Sequence, residues 1–376
     1  MDQSFVKNMP KLGFGLMRLP TIGDAIDIPQ TCRMVDMFLE KGFLYFDTAY
    51  GYGNGASERA IKAALVDRYP RDRFYLATKL PAWAGAKDAA EARQMFYTSL
   101  ERTGALYFDF DLLHNLGEQR THYFDDYGIW DFLAEQKQKG LIRHLGFSFQ
   151  DKADELDKLL TAHPEMEFVQ LQINYMDWEN PAIESRKCYE VARRHNKPVV
   201  IMEPVKGGNL AKAPESVQKL FEESRPGASA SSWAIRFAAS LEGVLTVLSG
   251  MSSVEQMADN LSTMEHFEPL SEAEQAVIAA AREAFNAIPS VPCTACQYCV
   301  KGCPMNINIP GVFTAYNIYL KYGNADFASG HYGWQTDGHH MAKASACVEC
   351  GQCEQACPQH IHIREQLKGA AKALER

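Results

Sequence analysis

Eight short apolar runs, each followed by a longer helix-patterned stretch, limit this chain's fold more than any other feature. They are GFGLM (13–17), FLYF (43–46), FYLAT (74–78), FDLL (110–113), IRHLGF (142–147), FVQLQI (168–173), PVVIM (198–202) and VLTVL (244–248). Each is too continuous to keep one face in water, which suits a parallel strand covered on both sides. Helical patterns fill the gaps. Asp27 and Pro29 open one that runs to Gly42, with Met34, Met37, Phe38 and Lys41 on one face and its edge. Ser57 opens another, with Ile61, Ala64 and Leu65 at i, i+3, i+4 spacing. Eight such units predict an α/β fold, a (β/α)8 TIM barrel over residues 1–288. A doubly wound sheet is the alternative, but it usually carries GxGxxG after its first strand. Gly51, Gly53 and Gly55 do not have that spacing and read as loop residues.

Ser271 and Glu274 form a capping-box signature for a helix to about Ala287. Pro289 and Pro292 then break the chain, so a second domain is expected over 289–376. It begins with CTACQYCVKGCP (293–304), and the same pattern returns as CVECGQCEQACP (347–358).

The net charge is −9. From Ser290 onward seven Lys/Arg face six Asp/Glu, so the deficit lies in the barrel and neither part has a basic run. That argues against nucleic-acid and anionic-membrane partners. The opening residues MDQSFVKNMPKLGFG hold no apolar h-region, and no apolar run approaches the roughly 18 residues of a membrane helix. A cytoplasmic protein is expected, and there ten cysteines point to metal or catalysis rather than disulfides.

Chemistry in such barrels gathers where strands end. The second run ends in Asp47, the third in Lys79, the fourth in His114 and the fifth in Ser148. The sixth reaches Asn174 after Gln170 and Gln172, and the seventh reaches Glu203. Any one of these is an ordinary loop residue, but an Asp, a Lys and a His at three consecutive strand ends would share one mouth. Tyr52 follows Asp47 in DTAYGY. A carbonyl reduced by hydride also needs a proton on oxygen, and a phenol with a pKa near 10 is a weak acid at neutral pH. Lys79 could lower that value, Asp47 could hold the lysine, and His114 could orient the carbonyl or pass a proton.

FDTAYGYG, ATKLP, DLLHNL, IRHLGFS and VLSGMSSVEQMADNL, in this order, resemble the aldo-keto reductases across about residues 10–265. The resemblance implies an NAD(P)H-dependent reduction or oxidation of a carbonyl/alcohol substrate. Its catalytic tetrad falls on Asp47, Tyr52 as acid, Lys79 and His114. The implied cofactor face comprises Gly15, Met17, Ser148, Gln170, Met202, Glu203, Val205, Gly250, Ser253, Gln256 and Asn260. Several positions depart from the family pattern. Phe149 replaces the Asn that usually follows Ser148, Met202 and Glu203 replace an aromatic–Ser pair, and Gly250 and Gln256 stand where many members carry Lys and Arg for a 2′-phosphate. NADP(H), NAD(H) and flavin therefore stay open. A barrel that binds nucleotide without carbonyl turnover, as a regulatory or electron-transfer protein, is the competing functional reading.

The two cysteine runs follow C-x2-C-x2-C-x3-C-P, in which the fourth Cys serves the other cluster of a two-cluster ferredoxin. One [4Fe–4S] cluster is assigned to Cys293, Cys296, Cys299 and Cys357, the other to Cys347, Cys350, Cys353 and Cys303. Zinc also takes four thiolates, typically from paired CxxC knuckles without a third evenly spaced Cys and a Cys-Pro. The segment resembles bacterial-type ferredoxins with a long connection, 305–346, in which PGVFTAYNIYLKYG (310–323) reads as an added helix. The whole chain, MEPVKGGNL included, resembles the ferredoxin-fused branch of the aldo-keto reductases. Cys32 and Cys188 read as packed thiols, and His339, His340, His360 and His362 as solvated or hydrogen-bonding. Trp83 is substrate wall or barrel rim.

The two halves pose a mismatch, because hydride carries an electron pair and clusters carry single electrons. The clusters could serve the bound substrate, a flavin in the barrel, or the structure alone, and a one-electron donor or acceptor protein would be a partner.

Overall fold

The computed structural model describes residues 1–375. The chain divides into two compact units, Met1–Val205 with Ser231–Gln275, and Lys206–Ala230 with the chain from Ala276 onward. The expected boundary near residue 288 lies inside the second unit, which also takes the loop after the seventh barrel strand.

The first unit is a closed, all-parallel barrel. Its strands are β1 (Leu12–Gly15), β2 (Tyr45–Asp47), β3 (Tyr75–Leu80), β4 (Phe108–Leu116), β5 (Ile142–Phe149), β6 (Phe168–Gln172), β7 (Val199–Met202) and β8 (Val244–Gly250). Each pairs with its sequence neighbours, and β1 closes on β8. Two-residue alternation splits every strand between two apolar layers. Tyr45, Ala77, Phe110, Leu112, Phe168, Val200 and Leu248 fill the lower interior, plugged by Val6 and Met9 of the helix Gln3–Asn8 and its C-cap. Phe14, Phe46, Leu76, Leu113, Phe147 and Val169 pack in the other, with helices such as Ile28–Glu40. Residue 146 must be glycine, because a Cβ there would lie 2.4 Å from the Phe168 carbonyl oxygen.

The helix opened by Asp27 forms, with the Asp27 carboxylate accepting from the Gln30 N–H. Ser57 does not cap the next helix, which starts at Ala56 behind left-handed Gly55. Its hydroxyl is buried, donating to the Leu16 carbonyl and sharing a 2.7 Å hydrogen bond with Thr48. Ser271 and Glu274 cap each other, and the helix Glu272–Asn286 follows.

In the second unit, helices Ile309–Tyr322, Ala325–Gln335 and Ile363–Leu374 pack around Ile307, Val312, Phe313, Tyr332, Leu367 and Leu374. Asn317 clamps Val291 through both its N–H and its carbonyl, at 2.7 and 2.9 Å, which fixes the chain two residues before the first cysteine run. The repeat runs further than its cysteines. Left-handed residues recur in register, Ala295, Gln297 and Asn306 matching Glu349, Gly351 and His360. An Ile-x-Ile pair (Ile307, Ile309; Ile361, Ile363) then leads into a helix each time. Among the described residues, no helix is long and apolar enough to cross a membrane.

Candidate active site and cysteine cavities

On four strands the residue above an inward-facing apolar side chain is polar. Asp47 stands two positions beyond Tyr45, Lys79 beyond Ala77, His114 beyond Leu112 and Gln170 beyond Phe168. Since all eight strands run the same way, these groups share one rim. Lys79 is 1% exposed, and its ammonium nitrogen lies 2.5 Å from Asp47 Oδ1, 2.7 Å from the Thr48 carbonyl oxygen and 3.4 Å from the Tyr52 hydroxyl. An ammonium has three hydrogens, so these contacts use all of them. The chain between β2 and Tyr52 is pinned to β3 as well: the Thr48 and Tyr50 N–H groups donate to the Ala77 and Lys79 carbonyls.

Burial opposes charge on Lys79, but Asp47 and then Tyr52 outweigh it and hold the amine above its ordinary value. Burial pushes the Asp47 carboxyl up against the pull of Lys79, and Asp47 Oδ2 is buried with no partner. Lys79 lowers the Tyr52 phenol as expected, but the net shift is upward. Burial raises the Tyr52 phenol, and the neighbouring ammonium only partly offsets that. Desolvation of a phenolate costs more than one shared cation returns, so Tyr52 rests as the protonated phenol. Burial, then Lys79 and Arg120, lowers His114 to about 3, so its imidazole is neutral at physiological pH. The His114 ring is 6.0 Å from the Tyr52 ring, and its Nδ1 is buried without a partner. Trp83 Nε1 donates to the His114 carbonyl at 2.7 Å, and Arg120 stacks on Trp83. Trp83 thus braces the strand end that carries His114.

The residues implied for a cofactor fall into three sets. Ser148 and Gln170 face each other in register on β5 and β6, both buried, and Gln170 Oε1 has no partner. Ser148 Oγ accepts from the Asn115 N–H at 2.7 Å. Met202 ends β7 half-buried, left-handed Glu203 follows with its carbonyl accepting from Asn174 Nδ2, and Val205 is half-buried. The third set lies at the end of β8 and is already engaged. Ser253 Oγ accepts from the Gln256 N–H, and Gln256 Oε1 accepts from the Ser252 N–H, which together cap the helix Val254–Met264. Asn260 is buried and donates to Ser249 Oγ at 2.8 Å. Gly15 runs beside Gly250 in register, and Met17 is 59% exposed just past β1.

Sequence reasoning missed Arg18. Ser252 Oγ donates to its carbonyl, and its guanidinium comes within 3.9 Å of where a Gly250 side chain would begin. A cation therefore stands beside Gly250 although β8 supplies none. No strand-end rule would find it, because Arg18 lies in the turn Leu16–Arg18. Phe149 also differs from its expected place in the cofactor face. Ser148 points inward, so Phe149 points outward into the helix layer, 2% exposed, lining a separate cavity with Leu171, Gln172, Ser185 and Cys188. Cys188 is a buried thiol pushed up to about 12 by burial.

In the second unit the eight motif cysteines sort into two small cavities. Cys293, Cys296, Cys299 and Cys357 line one, with Ile309, Phe313, Ile361 and Ile363. Cys303, Cys347, Cys350 and Cys353 line the other, with Met305, Ile307, Arg364 and Leu367. The fourth cysteine of each run thus joins the three of the other run. Among the described residues, no group of three His, Cys, Asp or Glu side chains is drawn together as tightly as a single metal ion needs.

A parallel barrel with a buried Asp–Lys–Tyr group at one rim, joined to paired cysteine cavities, defines a (β/α)8 protein with an iron–sulfur-type tail. Residues 11–283 match the aldo/keto reductase family and residues 292–361 match a 4Fe-4S dicluster domain, so the chain belongs to the aldo/keto reductase family of oxidoreductases. An aldo-keto reductase of Mycolicibacterium smegmatis is 36% identical over 141 residues, 37% of this chain and 44% of that protein. The match thus spans less than half of that relative. A Mycolicibacterium vanbaalenii aldo-keto reductase is 28% identical over 262 residues, 68% of this chain and 83% of its own length. Among solved structures, the holo form of a Bacillus halodurans aldo-keto reductase covers 72% of this chain and 91% of itself, with a TM-score of 0.59 and 26% identity.

Proposed function

We propose that this protein is an NAD(P)H-dependent oxidoreductase of a small carbonyl/alcohol pair, with Tyr52 as the general acid and two [4Fe–4S] clusters linking it to a one-electron carrier. The observation that carries the reading is the three-way grip on Lys79 by Asp47, the Thr48 carbonyl and Tyr52.

The residues fit a nicotinamide carboxamide. Gln170 Oε1 is a buried acceptor awaiting a donor, and Ser148 Oγ, which accepts from the Asn115 N–H, keeps its own hydrogen to donate. Gly15, Met17, Met202, Glu203 and Val205 would flank the ring, while Gly250, Ser253, Gln256 and Asn260, with Arg18 added, would meet the adenosine end. Arg18 is a cation that could serve a 2′-phosphate, which favours NADP(H). Outward-facing Phe149 does not reshape the inner face, so of the three departures that would suit a flavin only Met202 and Glu203 remain.

Bound NAD(P)H supplies the hydride to the carbonyl carbon. Tyr52, held neutral by burial, gives its proton to the carbonyl oxygen as negative charge develops there. Lys79 stabilises the phenolate left behind, and Asp47 keeps the lysine in place and charged. Neutral His114 orients the carbonyl by hydrogen bonding rather than carrying a proton. Positioned acid catalysis of this kind contributes about 10²–10⁴ in rate, roughly 3–5 kcal/mol of barrier.

The cysteine cavities fit iron–sulfur clusters because each offers four thiols around an apolar hollow. Cys293, Cys296, Cys299 and Cys357 would hold one, and Cys303, Cys347, Cys350 and Cys353 the other. Such clusters pass single electrons, and because the hydride step balances without them, their exchange with a carrier would be separate from that step.

Anaerobically purified protein should contain about eight iron and eight labile sulfide atoms per chain. It should oxidise NADPH or NADH with members of a carbonyl panel. Tyr52→Phe should abolish that turnover while leaving cluster absorbance and reducibility unchanged. Wild-type protein that binds nucleotide yet turns over no carbonyl would instead support the binding or electron-transfer reading.

A further inference from the structure

Phe149, directly after Ser148, packs in the helix layer, so the end of β5 offers the inner face a hydroxyl and no amide. Asn115, at the end of the neighbouring strand, has three properties that suit a ligand-binding amide.

First, its backbone is left-handed, with φ at +59°, and the β4–β5 register shifts between Leu113 and Leu116. Strict alternation would send Asn115 outward, opposite His114, but the shift releases it from that rule. Second, its N–H donates to Ser148 Oγ at 2.7 Å, which puts Asn115 next to the inward-facing Ser148–Gln170 pair. Third, its side-chain Oδ1 is buried with no hydrogen-bond partner. A buried amide oxygen without a donor is costly and uncommon in a folded protein, so it invites a ligand.

The atoms can be counted. Ser148 receives the Asn115 N–H, and among the described residues nothing accepts its own hydrogen. Asn115 Oδ1 and Gln170 Oε1 both lack donors. Neighbouring strand ends β4, β5 and β6 thus present a free hydroxyl hydrogen and two amide oxygens that await donors. A primary carboxamide meets all three, with one carbonyl acceptor and two N–H donors.

We infer that Asn115 is a cofactor-binding residue whose Oδ1 accepts from the carboxamide NH2 of nicotinamide. The inference rests on the nicotinamide reading above, and the experiment separates the two. Asn also tolerates left-handed backbone for purely conformational reasons, so Asn115→Gly is the informative variant. It keeps the backbone and removes only the amide.

The probes are NADPH and its 3-acetylpyridine analogue, which has a methyl where nicotinamide has NH2. Dissociation constants come from fluorescence titration of the cluster-loaded protein. Wild type should bind NADPH more tightly than the analogue. Asn115→Gly should weaken NADPH by about 3- to 10-fold, the range of one hydrogen bond, and leave the analogue within about twofold. Unchanged NADPH affinity in the variant overturns the inference. Equal losses for both dinucleotides also overturn it, because they show a displaced site rather than a lost amide contact. Wild type that binds neither dinucleotide overturns the nicotinamide reading itself.

Discussion

Replacing Lys79 with methionine tests the centre of the site. The change keeps most of the side-chain volume and removes an ammonium that touches Asp47 at 2.5 Å, the Thr48 carbonyl at 2.7 Å and Tyr52 at 3.4 Å. Asp47 is 2% exposed and its Oδ2 already lacks a partner, so the variant strands both carboxylate oxygens in the barrel interior. Breaking a buried pair by removing one member costs about 3–5 kcal/mol, or roughly two to three and a half decades in an opening equilibrium. A two-unit chain with metal centres is unlike a two-state unfolder, so the local measurement is the sound one. Hydrogen exchange of Tyr45–Asp47 and Tyr75–Leu80 should accelerate by about 10²-fold or more.

The defect should depend on pH with a definite sign. Burial raises the Asp47 pKa in the folded state, so the folded variant binds a proton more tightly than the unfolded chain. Its deficit should therefore shrink as pH falls toward the unfolded carboxyl value of about 3.9. Lys79→Met with Asp47→Asn should recover much of the lost protection. Exchange rates within about threefold of wild type, or a double variant no better protected than the single, would refute the claim that this pair is buried and mutually dependent.

Other outcomes follow from the same geometry. Tyr52→Phe should cut kcat by about 10²–10⁴ without altering the cluster spectrum. Because His114 is lowered to about 3, kcat/KM should show no histidine limb between pH 5 and 8, and His114→Gln should retain more activity than His114→Ala. Arg236 grips Glu274 at 2.6 and 3.0 Å and, aided by Ser271 and against burial's opposing push, holds its carboxyl at about 2. That stabilisation, screened by solvent, is complete above pH of about 4.3 and lost as pH falls toward 2. Arg236→Gln should flatten this acid limb in thermal melts.

Periodicity is local, and what periodicity controls was legible beforehand. Continuous apolar runs flanked by helical patterns require strands covered on both faces, and eight of them close into a barrel. Polar residues one alternation beyond the inward apolar layer had to meet at one rim, so Asp47, Lys79 and His114 could be placed before any coordinates. Phe149 was legible too, since a residue after an inward serine points outward, but family resemblance obscured that simple count. The paired cysteine runs were readable through their repeat, whose extension into Ile-x-Ile and the following helix was present in the residues and passed unnoticed.

Other features depend on depth, charge and register, which no local pattern carries. Whether Tyr52 rests as phenol or phenolate is decided by desolvation against one ammonium, and burial prevails only once the barrel has closed around it. Arg18 reaches Gly250 because β1 and β8 lie side by side although they are far apart in the chain. Asn115 leaves the alternation of β4 through a single left-handed residue, and its N–H then finds Ser148 on the next strand. Residue order determines which side chains alternate along a strand, whereas only the closed barrel determines which of them lose water and which atoms are left without partners.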